Sequence, residues 1–323
     1  MTALLEVRDI KKYFPVTKGY LLSKMVGWIK AVDGVTFSVE ECETFALVGE
    51  SGCGKSTSAK VILLLEQLTG GSILFEEREV SHLEGKGLKR YRSLVQAVFQ
   101  DPYSSLDPRM RIGATVAEPL LENSSLPRRA IRDRVIEVLT AVGLDSKAAE
   151  RFPHEFSGGQ RQRIAVARSL ILKPRLIVLD EPVSALDVSI QAQIMNLLKD
   201  LQAQVGSSYL LIAHDLATVR YMSNHLGVMY LGKLVERGTT EEVYNHQLHP
   251  YTKALFSAAL PVHPDSKDEE IILSGEVPSA LHPPTGCRFH SRCPSVMSIC
   301  SKLEPSLKES TRDHYVACHL YDK

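Results

Sequence analysis

Apolar and polar residues alternate from Leu4 to Ile10, which predicts a strand ending near the aromatic pair Tyr13 and Phe14. A looser stretch with Gly19 and Gly27 follows, and Val35 to Val39 alternates again as a second strand. Thr44-Phe45-Ala46-Leu47-Val48 is a short apolar run bounded by Gly49. Such runs suit strands covered on both faces, as in a parallel sheet flanked by helices. Ser56 to Leu65 reads as helix. From about Asp101 to Pro174 the spacing turns helical. Ile131, Val135, Val138, Leu139 and Val142 recur on one face before Gly143, and Ile164, Ala167, Leu170 and Ile171 do so before Pro174. Leu176 to Leu179 returns to buried-strand character. A helix carrying Ile190, Ile194, Leu197, Leu198 and Leu201 follows, then a strand from Tyr209 to Ala213 and a hairpin-like Gly227 to Arg237 around Gly232. Strand and helix alternating around a helical insertion predict an α/β core with a helical subdomain. Beyond about residue 245 one helix is expected from Tyr251 to Leu260. Pro261, Pro264, Pro278, Pro283 and Pro284 then punctuate a loop-rich tail.

Length and charge narrow the field. The 323 residues suggest about two domains, and 44% hydrophobic with 24% charged residues is ordinary globular material. Thirty-eight basic residues balance 38 acidic ones, which argues against a general nucleic-acid binder. No apolar run approaches the roughly 18 residues that span a bilayer, and the first residues lack the order of a secretory signal. A cytoplasmic protein is expected. Among the six cysteines, Cys42 and Cys53 lie early, while Cys287, Cys293, Cys300 and Cys318 crowd the tail. A disulfide framework is not expected in such a chain.

The strongest chemical signal is Gly49-Glu50-Ser51-Gly52-Cys53-Gly54-Lys55-Ser56, which fits G-x-x-x-x-G-K-[ST] between a strand and a helix. Its glycines let successive backbone N–H groups turn toward phosphate oxygens, and the helix N-terminus adds its positive end. Lys55 would place a cation at the β- and γ-phosphates, and the Ser56 hydroxyl would ligate Mg²⁺. Thr57 follows within reach of the same nucleotide. A second signal is Leu176 to Leu179 followed by Asp180 and Glu181. Acids at the carboxyl end of a buried strand suit Mg²⁺ binding (Asp180) and activation of an attacking water (Glu181). A third is Ser157-Gly158-Gly159-Gln160 before the helix at Ile164. An ordinary N-cap explains Ser157, but helical glycines cost about 1 kcal/mol each, and bare backbone at a helix start makes a second anion site. Taken singly, His214 reads as an ordinary imidazole, Gln100 as a turn residue, and Tyr13 and Phe14 as core.

Taken in order, these segments resemble the ATP-binding subunits of ABC transporters over nearly the whole chain. Gly49 to Ser56 resembles their Walker A, Leu176 to Glu181 their Walker B, and Ser157 to Gln160 their signature. Gln100 resembles the Q-loop glutamine, Ser184-Ala185-Leu186-Asp187 the D-loop, and His214 the switch histidine. Tyr13 or Phe14 resembles the aromatic that stacks on adenine. The resemblance implies a P-loop NTPase core of the ABC ATPase type over 1–245, with a helical subdomain inserted at about 101–174. It implies ATP and Mg²⁺ as ligands, the metal held by Ser56, Gln100 and Asp180, with Glu181, His214 and Gln100 catalytic. In that family two subunits pack head to tail, so Ser157, Gly158 and Gly159 would meet nucleotide held by the partner, with Gln160 behind them and Asp187 at the seam. The γ-phosphate would then bias a two-state switch.

Three passages resemble the oligopeptide/dipeptide importer branch: Phe99 to Arg109, His249 to Leu255, and Lys11-Lys12-Tyr13-Phe14-Pro15-Val16, which is closest to the second of that branch's two ATPases. They imply a heterodimer with a related ATPase (a homodimer is the alternative), two membrane permeases, a substrate-binding protein, and a peripheral position on the cytoplasmic face of the membrane. Peptide is the expected cargo, although nickel, glutathione and sugar importers share the ATPase pattern. Residues 246–323 would be that branch's C-terminal extension. Its Cys287-x5-Cys293-x6-Cys300-x17-Cys318 offers four thiolates, which suit a [4Fe–4S] cluster. Zinc is the alternative although short C-x2-C loops are absent, and unligated thiols are the third reading. Cys53 reads as a small filler and Cys42 has no assigned role. A redox-sensing scaffold that binds ATP without turnover is the competing class. Soluble ABC proteins of DNA repair or translation usually carry fused ATPase pairs or long coiled coils, and neither is visible.

Overall fold

The computed structural model describes residues 3–18, 24–101, 106–184, 186–259 and 271–322. In chain order the first elements are β1 (Ala3–Lys18), β2 (Lys24–Glu40), β3 (Thr44–Val48), α1 (Lys55–Ile62), β4 (Gly70–Phe75) and β5 (Arg78–Glu79). Then come α2 (Gly85–Leu94), β6 (Val95–Val98), α3 (Ile112–Asn123), α4 (Arg128–Ala141), α5 (Gly158–Leu170), β7 (Leu176–Asp180), α6 (Val188–Val205) and β8 (Ser208–Ile212). The chain continues through α7 (Leu216–Met222), β9 (His225–Tyr230), β10 (Lys233–Thr239), α8 (Thr240–Asn245), α9 (Pro250–Ala259), β11 (Lys308–Thr311) and β12 (His314–Val316).

Two compact units contain these elements. One comprises Ala3–Val39, Thr44–Ser81 and Ile212–Lys323; the other takes in Glu40–Glu43 and His82–Leu211. Ile212–Lys323 thus falls in the same unit as the N-terminal strands.

In the first unit, β2-β1-β4-β5 form one sheet. β1 and β4 run antiparallel with Leu5 opposite Phe75 and Val7 opposite Ile73, and the register slips between Arg8 and Lys11. This irregularity lets β1 run past the point where alternation fades, with Asp9 at a φ of +48°. β2 likewise begins well before Val35. A second run of strands has the order β11-β12-β10-β9-β3. β3 pairs parallel with β9, and its five residues are all buried, as its continuous apolar run requires. β10 pairs antiparallel with both β9 and β12, with Glu236 opposite Val316. The tail is thus not only loops. β11 and β12 went unpredicted because they have only four and three residues, those of β11 all exposed, so no buried alternation marks them.

In the second unit, β6 and β7 pair parallel, with Val95 opposite Leu176 and Val98 opposite Leu179, in the order β8-β7-β6. Its core takes Ile131, Val135 and Leu139 from α4, Ile164, Ala167 and Leu170 from α5, and Ile194, Leu198 and Leu201 from α6. These are the faces that helical spacing predicts. Gly206, at a φ of +73°, closes α6 as a left-handed cap.

Candidate functional site

The Gly49–Ser56 loop joins β3 to α1. A Cβ on Gly49 would lie 2.2 Å from the Met229 carbonyl oxygen, and one on Gly54 would lie 2.2 Å from that of Ala31. Both glycines, at φ values of +147° and +110°, let the loop press against neighbouring backbone. At Gly52 (φ +78°) nothing stands within 4 Å of the missing Cβ, so that stretch of the loop faces open space. Lys55 starts α1 and is buried. Its Nζ donates to the carbonyl oxygens of Gly49 (2.7 Å) and Glu50 (3.1 Å) and lies 3.7 Å from Cys53 Sγ. The loop therefore encloses a desolvated ammonium beside backbone at a helix start whose first turn carries no acid. That chemistry selects an anion. Burial pushes the Cys53 thiol up although Lys55 pulls it down, so Cys53 remains a neutral contact of the lysine. Ser51 and Gly52 are exposed, and Ser56 and Thr57 occupy the first turn of α1.

Of the two candidate aromatics, Tyr13 is tethered: its hydroxyl donates to the Asp33 carboxylate, which also receives the Arg288 guanidinium. Burial would raise the Asp33 carboxyl, but Tyr13 and Arg288 overcome it and hold it below its ordinary value. Burial, helped by Asp33, pushes the Tyr13 phenol up, so it stays a donor. At Phe14 the contact is of another kind, with the Lys12 ammonium 4.8 Å from its ring centre. Glu50 is also held, its backbone N–H donating to Tyr251 Oη (2.8 Å) and its carboxylate accepting from Arg292. Sequence reasoning missed Asp33, Glu50, Tyr251, Arg288 and Arg292. No local pattern marks them, since their partners are distant in the chain. His214 is exposed and precedes Asp215, which caps α7 through Ala217 and Thr218.

In the other unit Gln100 Nε2 donates to Glu181 Oε2 at 2.8 Å. Asp180 ends β7, and Glu181 follows at a φ of +49°, a strained conformation for a residue with a side chain. Ser157 forms a capping box with Gln160: the Gln160 N–H donates to Ser157 Oγ (3.4 Å), and the Ser157 N–H to Gln160 Oε1 (3.0 Å). A Cβ on Gly159 would come within 2.5 Å of Ile190 Cγ2, so this glycine also serves close packing of α5 on α6; a Cβ on Gly158 would lie 3.4 Å from Leu186 Cδ2, an ordinary contact. Asp187 accepts from the Ile190 N–H (3.0 Å) and caps α6, and that backbone hydrogen bond holds its carboxyl below its ordinary value. Ala185 lies outside the described residues, as do residues 102–105 of the Phe99 to Arg109 passage.

Cys287, Cys293, Cys300 and Cys318 all lie within electrostatic reach of one another. Yet among the described residues no group of three or more His, Cys, Asp or Glu side chains is arranged to hold a metal ion. Burial pushes the Cys287 thiol up to about 11 and raises Cys293 and Cys318 as well, and the neighbouring cysteines add to each shift.

Strand, glycine-pinned loop and lysine-led helix, with an acid-tipped buried strand, define a P-loop nucleotide-binding protein of the α/β class. Comparison with known families narrows this. A family model described as ABC transporter matches residues 32–184, and one described as the C-terminal region of oligopeptide/dipeptide transporters matches 235–300. The oligopeptide transport ATP-binding protein AppF of Bacillus subtilis is 50% identical over 322 residues, covering 98% of this chain and 97% of that one. The dipeptide transport ATP-binding protein DppF of Escherichia coli is 45% identical over 320 residues, covering 99% and 95%. Among solved structures, cbiO1 of Clostridium perfringens, part of the ABC transporter complex cbiONQ, is similar with a TM-score of 0.65 at 27% identity, covering 76% of this chain and 92% of that one. The cassette MJ0796, a dimer bound to ADP and Pi, gives a TM-score of 0.64 at 27% identity over 73% and 98%. The chain belongs to the ABC transporter family, among the ATP-binding proteins of oligopeptide and dipeptide transport. Among the described residues no helix is long and apolar enough to cross a membrane.

Proposed function

We propose that this chain binds ATP at the Gly49–Ser56 loop and hydrolyses it to power import of oligopeptides or dipeptides. The observation that carries the reading is the buried Lys55 ammonium, held by loop carbonyls and the Cys53 sulfur at the edge of open backbone. Triphosphate oxygens are stronger acceptors for that ammonium than neutral carbonyls. Tyr13, the tethered aromatic, takes the adenine.

Bound Mg²⁺ neutralises phosphate charge, and Ser56, Asp180 and Gln100 are the residues that would hold it. Glu181 accepts a proton from the attacking water, a general-base contribution typically of about 10²–10⁴ in rate. Gln100 orients Glu181, and His214 senses the γ-phosphate. Ser157, Gly158 and Gly159 present the start of α5 to nucleotide on a partner ATPase, with Gln160 fixing the cap and Asp187 at the seam. The partner is a related ATPase, and the pair docks on two permeases at the cytoplasmic face, the substrate-binding protein acting outside. ATP hydrolysis by the assembled transporter tests this reading. Lys55→Ala should lose nucleotide, and Glu181→Gln should keep it while losing turnover. Unchanged hydrolysis in either variant overturns the assignment, and no hydrolysis by the unaltered chain with its partner ATPase would favour the scaffold reading.

A narrower second proposal concerns the tail. Mutual reach of the four thiols supports a [4Fe–4S] cluster, with zinc the alternative, although their positions do not form a ligand set. Metal binding would have to release thiol protons. Iron, acid-labile sulfide and zinc contents after anaerobic purification decide it, and absence of all three ends it.

A further inference from the structure

The segment bearing Cys287 and Cys293 also carries two arginines that no step above uses. Arg288 and Arg292 keep only 6% and 9% of their side-chain surface exposed. Arg288 donates to the Asp33 carboxylate and to the Leu231 carbonyl oxygen, and Asp33 accepts the Tyr13 hydroxyl. Arg292 Nη1 donates to both Glu50 oxygens, at 3.0 and 3.2 Å. Glu50 lies inside the phosphate loop: its carbonyl accepts from Lys55, and its N–H donates to Tyr251 of α9. Each arginine is thus one residue removed from a group assigned to the nucleotide.

We propose that the C-terminal segment positions both ends of the nucleotide: Arg292, through Glu50, sets the phosphate loop, and Arg288, through Asp33, sets the Tyr13 ring. Two physical effects support it. A glycine-rich loop gains affinity when its ordering precedes binding, and Arg292 with Tyr251 fixes Glu50 by carboxylate and by backbone. An unpaired carboxylate beside a triphosphate repels it, and Arg292 cancels that charge. Both arginines are positioning residues. The proposal rests on the nucleotide reading of the loop.

The test is calorimetric titration of the full chain with Mg-ATP and, separately, with magnesium tripolyphosphate, which has no base. Arg292→Met should weaken both probes by about fivefold or more, a typical coupling between sites. Arg292→Lys should restore most of that loss. Adding Glu50→Gln to Arg292→Met should also recover affinity, because the unpaired charge is gone; a merely structural role predicts no such rescue. Arg288→Met should weaken ATP by a similar factor and leave tripolyphosphate unchanged. Where Arg292→Met lowers the yield of folded chain, Glu50→Gln alone carries the test and should weaken tripolyphosphate binding, because the carboxylate through which Arg292 orders the loop is gone. Wild-type affinities in Arg292→Met, equal loss for both probes in Arg288→Met, or no change in Glu50→Gln overturns the proposal. Binding of neither probe by the unaltered chain instead overturns the nucleotide reading, and this inference with it.

Discussion

Gln100 and Glu181 are joined by a 2.8 Å hydrogen bond between side-chain amide and carboxylate, although 81 positions separate them. The bond aims a carboxylate whose backbone is already constrained at a φ of +49°. Removing the amide frees the aim without removing the carboxylate proposed as the base. Gln100→Ala is expected to lower kcat of the assembled transporter by about 10- to 100-fold, within the range for a mispositioned general base. Affinity of the isolated chain for ATP should change far less. Steady-state hydrolysis and equilibrium binding, measured side by side, check the split.

Gly54→Ala would drive a methyl group to 2.2 Å from the Ala31 carbonyl oxygen at a φ of +110°. The loop must move, and nucleotide binding should be lost along with about 1–3 kcal/mol of stability. Gly52→Ala meets no neighbouring atom within 4 Å, so only its backbone strain of about 1 kcal/mol remains. Urea unfolding of the two variants should rank them in that order.

Burial lowers the His249 pKa from 6.5 to about 3. The unfolded chain therefore takes up a proton on this group below pH 6.5 that the folded chain refuses until about pH 3. The sign follows: His249 favours folding fully above that window, and stability drains as pH falls through it, at up to about 1.4 kcal/mol per pH unit. Denaturant unfolding across the window should show this slope, and His249→Asn should flatten it.

Glu236 has no exposed surface and accepts from the backbone N–H groups of Leu248 and His249 and, at 2.8 Å, from His314 Nε2. Glu236→Ala leaves buried donors unpaired, and a loss of about 3 kcal/mol is expected. Thermal unfolding checks it. An unshifted midpoint would contradict the role given to this carboxylate in tying β10 to β12.

What the sequence revealed and what it hid follow from range. Thr44 to Ser56 was legible because strand, turn and helix lie in consecutive residues, and glycine is favoured at the positive-φ positions 52 and 54. The faces of α4, α5 and α6 were legible because helical periodicity is local. The ends were harder: α1 stops at Ile62, where Leu64 turns to a φ of +52°, rather than running to Leu65. Strand pairing in the tail depends on β10, about 80 residues upstream of its partners in β12, and leaves no mark in the composition of β11. Arg292 pairs with Glu50 across 242 positions, and Arg288 with Asp33 across 255. Neither link has a local pattern, and the neighbouring cysteines offered a more conspicuous reading of the same segment.

The central claim is that one triphosphate is held by Lys55 and attacked under the control of Glu181. A structure of the Glu181→Gln chain, assembled with its partner ATPase and bound to Mg-ATP, tests it most directly. The account predicts intact ATP on the Gly49–Ser56 backbone, Lys55 Nζ turned from the Gly49 and Glu50 carbonyls to the phosphates, and the substituted side-chain amide facing the γ-phosphorus. Nucleotide bound elsewhere, or Lys55 still paired to those carbonyls with phosphate present, would contradict it.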